Sequence, residues 1–533
     1  MTPFKAARPV IMGSNGIISS GHHLASLAGI QVLQEGGNAV DAALAASFTL
    51  AVVKPESCGV GGDLFALVYM KNEGRVKALN ASGPAPKGAT IEVYRGKGLD
   101  RVPRDGPLSI AIPGAVDGWI ELHRKYGTFE LSRVAADAIA CARDGFPISR
   151  KFGERIREVG ASFPWIDRFY HRPLGIPGPG KLLIQGEIAH ILEQVVKKGR
   201  EGFYGGIIGE QMCRAIRSEG GVLVESDLHG NFAEWLDPIN STYRGYLLFE
   251  QPPVSQGFTV LEILNILEDY PLGEDNMDPV EKVHLMVEAK KLAFEDRIHH
   301  LEDPRFGDPQ ISKLISKEYA QERRSLISTQ ASSRSDQSLE GGSDTTYLCV
   351  ADRDGNVVSV IQSIFANFGS CIVAGDTGVV MNNRLCSFGL DPNNANALKP
   401  GKRPAHTLNS YMVFRDQEFF AVGGTPGADD QPQSNIQILH NLLDLRMDPQ
   451  AAIEAPRWSH SGGTLPKMEY PDELRLEDGY SAQLITGLRE RGHRTEVVDR
   501  WTFGGAGVVV REPTSGTLMA GADPRREGYA LGW

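Results

Sequence analysis

The chain has 533 residues, 41% of them hydrophobic, and a formal net charge of −11 at pH 7. This length allows one large domain or two to three ordinary ones with a sizeable core. The acidic balance disfavours nucleic acid or an anionic membrane surface as the main partner. No apolar run reaches the roughly eighteen residues of a membrane span, and residues 1–16 lack the apolar core of a signal peptide. We therefore expect a cytoplasmic protein.

The six cysteines show no spacing typical of zinc or redox sites, because none forms a C-x-x-C pair. They are Cys58, Cys141, Cys213, Cys349, Cys371 and Cys386. The segment HHLED at 299–303 offers metal-ligand types without H-E-x-x-H spacing, and we interpret it as a helix end before Pro304. We expect reduced, mostly structural thiols, with no metal and no cofactor.

The N-terminal region predicts two helices that lead into a buried strand. Apolar residues at helical spacing run over 22–35, and Gly36 to Asn38 end that helix. An Ala-rich helix follows to about Val53, and LFALVYM at 64–70 has the continuous apolar character of a buried strand. The Gly-rich loop between them, ESCGVGGD, lacks both G-x-G-x-x-G and a following Lys-Ser/Thr. We therefore expect no nucleotide site there.

From Pro113 to about Glu318 the pattern is mainly helical, with Pro and Gly breaks between elements. Helices are predicted over 115–126, 131–143, 187–199, 207–219, 258–268 and 279–301. A Ser- and Gly-rich run begins at Gln330, and we expect a flexible linker there. Strands are then predicted over 345–352, 356–364, 371–382, 409–415 and 418–424, and a helix over 432–444. This order predicts a layered α/β domain built from both parts.

The first two strands after the linker flank the dipeptide DG at 354–355, a strong signal for a two-residue type I′ hairpin turn. Counting along the ladder from a turn centred there brings Ser363 opposite Thr346, and within about one residue of Thr345. Two hydroxyl side chains would thus meet where the linker enters the hairpin. Since threonine favours strands, Thr345 and Thr346 are also compatible with ordinary strand positions.

This arrangement suits an N-terminal threonine nucleophile. A threonine hydroxyl is a weak nucleophile, and a free α-amino group on the same residue can act as its base. A threonine inside the chain has no such amine, so the bond before it must first be cut. A flexible linker that ends at Asp344 and Thr345 would permit such a cut, although the three residues DTT at 344–346 are not a specific motif.

Several segments together resemble, in this order, the γ-glutamyltransferase family of self-cleaving N-terminal nucleophile hydrolases. They are GGNAVDAALAASFTLAVVKPESCGVGGDLF, IPGAVDGWIELHRKYG, DTTYLCVADRDGNVVSV, FGSCIVAGDTGVVMNNR and GKRPAHTLNSYMVF with GGTPG. The resemblance runs from about residue 10 to the C-terminus. It implies a four-layer αββα sandwich and cleavage into a large subunit, 1–344, and a small subunit, 345–533. The products would form a heterodimer, which could pair further into a dimer of heterodimers.

The resemblance also implies which residues carry the chemistry. Thr345 matches the family's nucleophile and its free amine. Ser363 matches a threonine whose hydroxyl supports that nucleophile, in agreement with the hairpin count. Gly427 and Ala428 match a glycine pair whose backbone N–H groups form the oxyanion hole. Ala428 keeps that N–H, so the hole can survive if the backbone angles suit a residue with a Cβ.

The chain departs from the family at the positions that hold the glutamate of γ-glutamyl substrates. Those positions carry Ser82, Phe365, Arg384, Ser387, His406 and Thr407. Arg384 is a poor neighbour for an ammonium group and a good bidentate partner for a carboxylate. A structural ion pair is an alternative role for Arg384. We expect His406 to support neighbouring groups rather than catalyse, because the free amine already supplies the base.

These observations favour an amidase for an acyl group that carries a carboxylate but no α-amino group, of the oxamate or glutaryl type. The pattern resembles the branch of the family with cephalosporin acylases and oxamate amidohydrolase. Two alternatives remain. One is a true γ-glutamyltransferase or glutathione hydrolase with a rebuilt glutamate clamp. The other is an inactive relative that stays one chain and serves as a binding protein.

Overall fold

The computed structural model describes residues 6–160, 178–274, 276–332, 345–461 and 472–533. Residues 333–344, which hold most of the predicted linker and Asp344, lie outside the described part of the chain. None of the described helices combines the length and apolar character needed to cross a membrane.

The described strands form two large sheets and two small ones. In chain order the strands are β1 (Ile11–Gly13), β2 (Gly16–Ser20), β3 (Asp63–Met70), β4 (Arg75–Ala81), β5 (Phe146–Pro147), β6 (Leu182–Leu183), β7 (Glu234–Leu236), β8 (Ile239–Tyr243), β9 (Tyr246–Glu250), β10 (Thr346–Asp352), β11 (Val357–Ser363), β12 (Ser410–Arg415), β13 (Glu418–Gly424), β14 (Trp458–His460), β15 (Leu474–Glu477), β16 (Thr495–Val498), β17 (Gly507–Arg511), β18 (Leu518–Ala522) and β19 (Tyr529–Gly532). Sheet 1 has the order β19-β2-β10-β11-β3-β4-β7, and sheet 2 has the order β1-β18-β17-β13-β12-β9-β8. The neighbouring strands within both sheets are antiparallel.

The helices of the described chain include those that pack on the outer face of each sheet. In chain order they are α1 (His23–Gln34), α2 (Ala39–Val53), α3 (Ile91–Gly96), α4 (Ala115–Tyr126), α5 (Leu131–Val134), α6 (Ala136–Asp144), α7 (Arg150–Gly160), α8 (Gly186–Lys198), α9 (Glu201–Tyr204), α10 (Gly206–Ser218), α11 (Phe258–Leu267), α12 (Pro279–His300), α13 (Ile311–Leu314), α14 (Lys317–Arg324), α15 (Asp430–Leu443), α16 (Pro449–Glu454) and α17 (Ala482–Glu490).

The three largest apolar cores among the described residues join the layers. One core joins α1, α2, α4, α6 and α8 to sheet 1, and a second joins α11, α12, α15 and α17 to sheet 2. The third lies between the sheets, where Phe65 and Tyr347 of sheet 1 pack with Met412 and Val509 of sheet 2. Both sheets are therefore buried on two faces, which explains the continuous apolar runs of their central strands. The predicted four-layer αββα sandwich is confirmed.

Two predicted elements differ from the structure. The strand predicted over 371–382 is irregular and keeps only an isolated bridge between Val373 and Val380. Positive φ angles at Gly375 (65°) and Gly378 (73°) turn the backbone away from extended geometry there. The helix predicted over 131–143 is divided into α5 and α6 at Ala135.

The hairpin turn between β10 and β11 also differs from the prediction. Ala351 pairs with Val357, and the Asp352 and Asn356 backbones bond to each other, so the loop has three residues instead of two. Only Gly355 of this loop has a positive φ (85°), whereas a type I′ turn needs two such residues. The register is therefore shifted by one from the prediction, and Thr346 lies opposite Gln362 rather than Ser363.

Candidate active site

Four of the polar residues around the predicted site lie in one row across sheet 1. Ser363 of β11 pairs with Asp63 of β3. Continuing the two flanking ladders by one residue places Thr345 beside Ser363, and Ser82 beside Asp63. Residues in one row project from the same face of a sheet. That face is directed towards sheet 2, because Tyr347, two residues after Thr345, belongs to the core between the sheets.

Thr345 and Ser363 form the hydroxyl pair that the sequence predicted near the hairpin's open end. The Thr345 hydroxyl donates to Ser363 Oγ at 3.1 Å, and both residues are buried. Ser363 Oγ also accepts from the backbone N–H of Phe365 at 2.8 Å. Because the Ser363 hydroxyl is fixed on both sides, it holds Thr345 Oγ1 in one orientation.

Gly427 and Ala428 lie in the loop between β13 and α15. Their φ angles are 129° and 49°, and their carbonyls accept from Asp430 and Gln431. In the described part of the chain, neither of their N–H groups donates to another protein group. The φ of 49° puts Ala428 in left-handed geometry despite its Cβ, at a cost of about 1 kcal/mol. Thr345 and Pro426 line the same small pocket, so this loop lies next to Thr345.

Arg384 lies in a fully buried cluster around Asp63. Its Nε is 3.4 Å from Asp63 Oδ2, and its guanidinium carbon is 4.2 Å from the centre of the Phe365 ring. Its Nη1 reaches the Thr407 hydroxyl at 3.5 Å, and His406 Nε2 lies 3.1 Å from Asp63 Oδ2. The structure thus brings Arg384, Phe365, His406 and Thr407 together. The ion pair with Asp63 is the alternative role that the sequence left open for Arg384.

Ser82 lies beside this cluster, but its hydroxyl is bound within its own strand segment. Its hydroxyl donates to Asn80 Oδ1 at 2.7 Å, and the following residue, Gly83, donates its N–H to Asp63 Oδ1 at 2.9 Å. Ser82 is therefore directed towards its own strand. Ser387 follows Arg384 in a short 3₁₀ turn over Arg384–Ser387, and it too is buried.

Burial determines the charges of the cluster. It lowers the pKa of Arg384 to about 10, which leaves the guanidinium protonated at neutral pH. Burial, and next the charge of Arg384, lower the pKa of His406 to about 4, so this imidazole is neutral. His406 Nδ1 faces the backbone N–H of Leu408 at 3.3 Å, which places its proton on Nε2, towards Asp63. The cluster therefore holds a guanidinium cation beside a neutral imidazole.

One edge of the Arg384 guanidinium lacks a partner among the described residues. Its Nη2 has no hydrogen-bond acceptor among the described residues, although the side chain is completely buried. Buried polar groups almost always have a partner, because an unpaired one costs about 1–3 kcal/mol. The N–H groups of Nη2 therefore require an acceptor from outside the described chain.

Comparison with known proteins identifies the family. The family model described as gamma-glutamyltranspeptidase matches residues 25–533. The chain belongs to the γ-glutamyltranspeptidase family. It is 38% identical to the glutathione hydrolase-like YwrD proenzyme of Bacillus subtilis (strain 168), over 98% of this chain and 99% of that one. It is 34% identical to the oxamate amidohydrolase proenzyme of Klebsiella pneumoniae, again over 98% and 99% of the two chains.

The same relationship is seen among solved structures. The cephalosporin acylase from Bacillus halodurans superimposes with a TM-score of 0.91 and 35% sequence identity, over 100% of this chain and 98% of that one. As a member of the γ-glutamyltranspeptidase family, the chain is a hydrolase or transferase.

Sequence reasoning missed Asp63 and also Gln256. Gln256 Nε2 donates to the carbonyls of Thr407 and Ala428. Asp63 contacts Arg384, His406 and Gly83 from the start of a buried strand. A carboxylate directly before a buried apolar run was the available signal, because such a charge needs partners. Gln256 carries no comparable signal, since a lone glutamine in a Gly- and Pro-rich loop is ordinary.

One group of described side chains has metal-ligand atoms close together, namely His284, Glu288 and His493, within 4.8 Å of one another. Their atoms are already engaged with protein. His284 Nδ1 and His493 Nε2 share a hydrogen bond of 2.9 Å, and Glu288 pairs with the ammonium of Lys291 at 2.8 Å. An ammonium beside Glu288 disfavours a second cation, so this group is best explained as a buried polar network.

Proposed function

We propose that the chain is a self-processing N-terminal nucleophile amidohydrolase that cuts itself between Asp344 and Thr345. Its substrate is the amide of a small acyl group that bears a carboxylate and no α-amino group. The observation that carries the proposal is the row from Thr345 through Ser363 to Asp63, because it joins a candidate nucleophile to Arg384 within one buried site.

The reaction follows from the groups in place. The free amine of Thr345 takes the hydroxyl proton while Oγ1 attacks the amide carbonyl. The N–H groups of Gly427 and Ala428 receive the negative charge that develops on the carbonyl oxygen. The C–N bond breaks, and the proton passes to the departing amine. The Thr345 α-amino group then deprotonates a water molecule. This water cleaves the Thr345 ester, releases the acid and restores the Thr345 hydroxyl.

Arg384 selects the acyl group in this proposal. The free N–H groups of Nη2 can bind a substrate carboxylate, while the Phe365 ring offers an apolar wall. Asp63 already binds the Gly83 N–H and His406 and pairs with Arg384. A substrate ammonium placed here would be repelled by the Arg384 cation. The oxamate amidohydrolase relative agrees with a carboxylated acyl group that lacks an amino group.

A γ-glutamyl substrate is the second candidate, and the glutathione hydrolase-like relative at 38% identity favours it. Glutaryl-p-nitroanilide and γ-glutamyl-p-nitroanilide decide between the two, because they differ only by the α-amino group. We expect a higher kcat/KM for the glutaryl compound. Efficient turnover of the γ-glutamyl compound with none of the glutaryl compound would overturn the proposed substrate.

Thr345→Ala tests the proposed nucleophile and cleavage together. The variant should remain one chain of 58.0 kDa without amidase activity, whereas the wild type should give two bands on a denaturing gel. Thr345→Ser is the matched control, because it keeps a hydroxyl and should retain some cleavage and turnover. An intact wild-type chain with full activity would refute self-processing, and an intact, inactive chain would support the binding-protein alternative.

A further inference from the structure

Gln256 connects the two loops that carry the candidate active site. It is completely buried in the segment between β9 and α11. Its side-chain Nε2 donates to the carbonyl of Thr407 at 2.7 Å and to the carbonyl of Ala428 at 3.1 Å. Thr407 contacts Arg384, and Ala428 belongs to the candidate oxyanion hole. One amide group thus joins the carboxylate-binding side of the site to the oxyanion side.

The other end of the Gln256 side chain is fixed as well. Gln256 Oε1 accepts from Arg297 Nη1 of α12 at 2.5 Å. The same Nη1 donates to Asp429 Oδ1 at 2.7 Å, directly after Ala428. The backbone N–H of Gln256 further donates to the carbonyl of His406 at 3.0 Å. Gln256 and Arg297 therefore hold the oxyanion loop through both the Ala428 carbonyl and the Asp429 carboxylate.

We propose that Gln256 is the positioning residue of the oxyanion hole, supported by Arg297. The inference rests on the proposed function and extends it to a residue on the large-subunit side of the cleavage point. Ala428 has left-handed geometry (φ 49°), which an alanine leaves readily unless neighbouring groups hold it. Because a hole stabilises charge only when its donors are aimed beforehand, a held carbonyl at Ala428 keeps the loop's N–H groups in place.

Gln256→Glu is the direct test, since it keeps the shape and places a carboxylate oxygen against two carbonyl oxygens. We expect kcat for glutaryl-p-nitroanilide to fall about 10- to 100-fold, with KM within about twofold, because the hole binds the transition state and not the ground state. A boronic acid analogue, whose tetrahedral adduct fills the hole, should lose affinity by a similar factor. Glutarate, which engages Arg384 only, should bind as in the wild type.

Gln437→Glu is the matched control. Gln437 Nε2 also bridges two backbone carbonyls, those of Gln433 and Trp458, at 2.8 and 2.9 Å within the α15 region. It should change thermal stability without changing kcat. If Gln256→Glu does not fold, Gln256→Met keeps a similar side-chain volume and the Arg297–Asp429 pair. It loses both donated hydrogen bonds and should show the same loss of kcat at constant KM.

The outcomes separate the two proposals. An inactive wild type, or an active Thr345→Ala variant, refutes the proposed function itself. An active wild type with normal kcat in folded, processed Gln256→Glu and Gln256→Met refutes only the positioning role. A rise in KM alone, with unchanged boronate affinity, would also refute it, because the residue would then act on substrate binding.

Discussion

At the scale of single residues, the site is governed by one buried cation. Arg384 has a carboxylate partner at Nε, an aromatic ring over its face and unused N–H groups at Nη2. Its charge survives burial because a pKa of about 10 lies well above neutral pH. A guanidinium held in this way is oriented before the substrate arrives, which favours recognition of a planar carboxylate.

Arg384→Gln should weaken substrate binding without preventing self-cleavage. A hydrogen bond to a charged group contributes about 1.5–3 kcal/mol, so KM for glutaryl-p-nitroanilide should rise about 10- to 100-fold. Processing should continue, since its chemistry lies at Thr345. Arg384→Lys is the control, because it keeps the charge and loses the planar fork, and it should give an intermediate KM. An unchanged KM in Arg384→Gln would leave Arg384 as a structural ion pair only.

At the scale of elements, the periodicity of apolar residues was sufficient to predict most of the fold. Helix 115–126 agrees with α4, and 22–35 agrees with α1 to within one residue at each end. The failure at 371–382 has a local cause, because two glycines with positive φ interrupt a run of β-branched residues. Propensity describes how well a residue suits a strand, and it cannot show that no neighbouring strand is present to pair with it.

Counting along the chain predicted the candidate site only where its residues come together locally, and the family resemblance was needed for Arg384, His406 and the loop of Gly427 and Ala428. Thr345 and Ser363 meet through one hairpin, so counting along the ladder placed them within a residue of each other. Asp63 and Arg384 are separated by hundreds of residues and meet only through the completed sheet. Gln256 joins two loops that no local pattern relates. Such long-range contacts depend on the packing of the two sheets, which periodicity does not encode.

The start of helix α1 gives a pH-dependent prediction. His22 caps this helix, with Nδ1 accepting from the Leu24 N–H at 3.2 Å. Burial, followed by the charges of Lys54 and His23, lowers its pKa to about 3. Above about pH 6.5 the imidazole is neutral in both the folded and unfolded chain. As the pH falls below 6.5, only the unfolded chain takes up the proton, so the folded state loses about 1.4 kcal/mol per pH unit.

His22→Asn should remove this loss while keeping the cap, because asparagine is a preferred N-cap residue that does not titrate. Relative to the wild type, the variant should gain about 2 kcal/mol in free energy of unfolding between pH 6.5 and pH 5. Urea denaturation at several pH values measures the difference. His22→Gln loses both the titrating group and the cap. Its free energy of unfolding should show the same pH slope as that of His22→Asn but be lower at every pH. Parallel curves for wild type and His22→Asn would contradict the assigned pKa.

At the scale of the whole molecule, the two predicted subunits are interleaved in both sheets. In sheet 1, β10 and β11 of residues 345–533 lie between β2 and β3 of residues 1–344. In sheet 2, β12 pairs with β9, and β18 pairs with β1, again across the predicted cleavage point. Separation of the subunits would break central ladders and expose all three apolar cores. We therefore expect cleavage to leave the fold intact, with no folded state for either piece alone.

The cleaved protein should accordingly behave as one body until it unfolds. An affinity tag on the N-terminal piece should retain the C-terminal piece through repeated washing in native buffer, and release it only at denaturant concentrations that abolish the circular dichroism signal. Because unfolding then separates two chains, the apparent free energy of unfolding of the wild type should rise by about 1.4 kcal/mol per tenfold increase in protein concentration. The denaturant midpoint should rise accordingly. Thr345→Ala, which stays one chain, is the matched control and should show a concentration-independent midpoint. Release of the C-terminal piece in native buffer would contradict the interleaved assembly. If wild-type protein that gives two bands on a denaturing gel has the same midpoint at all concentrations, unfolding does not separate the pieces.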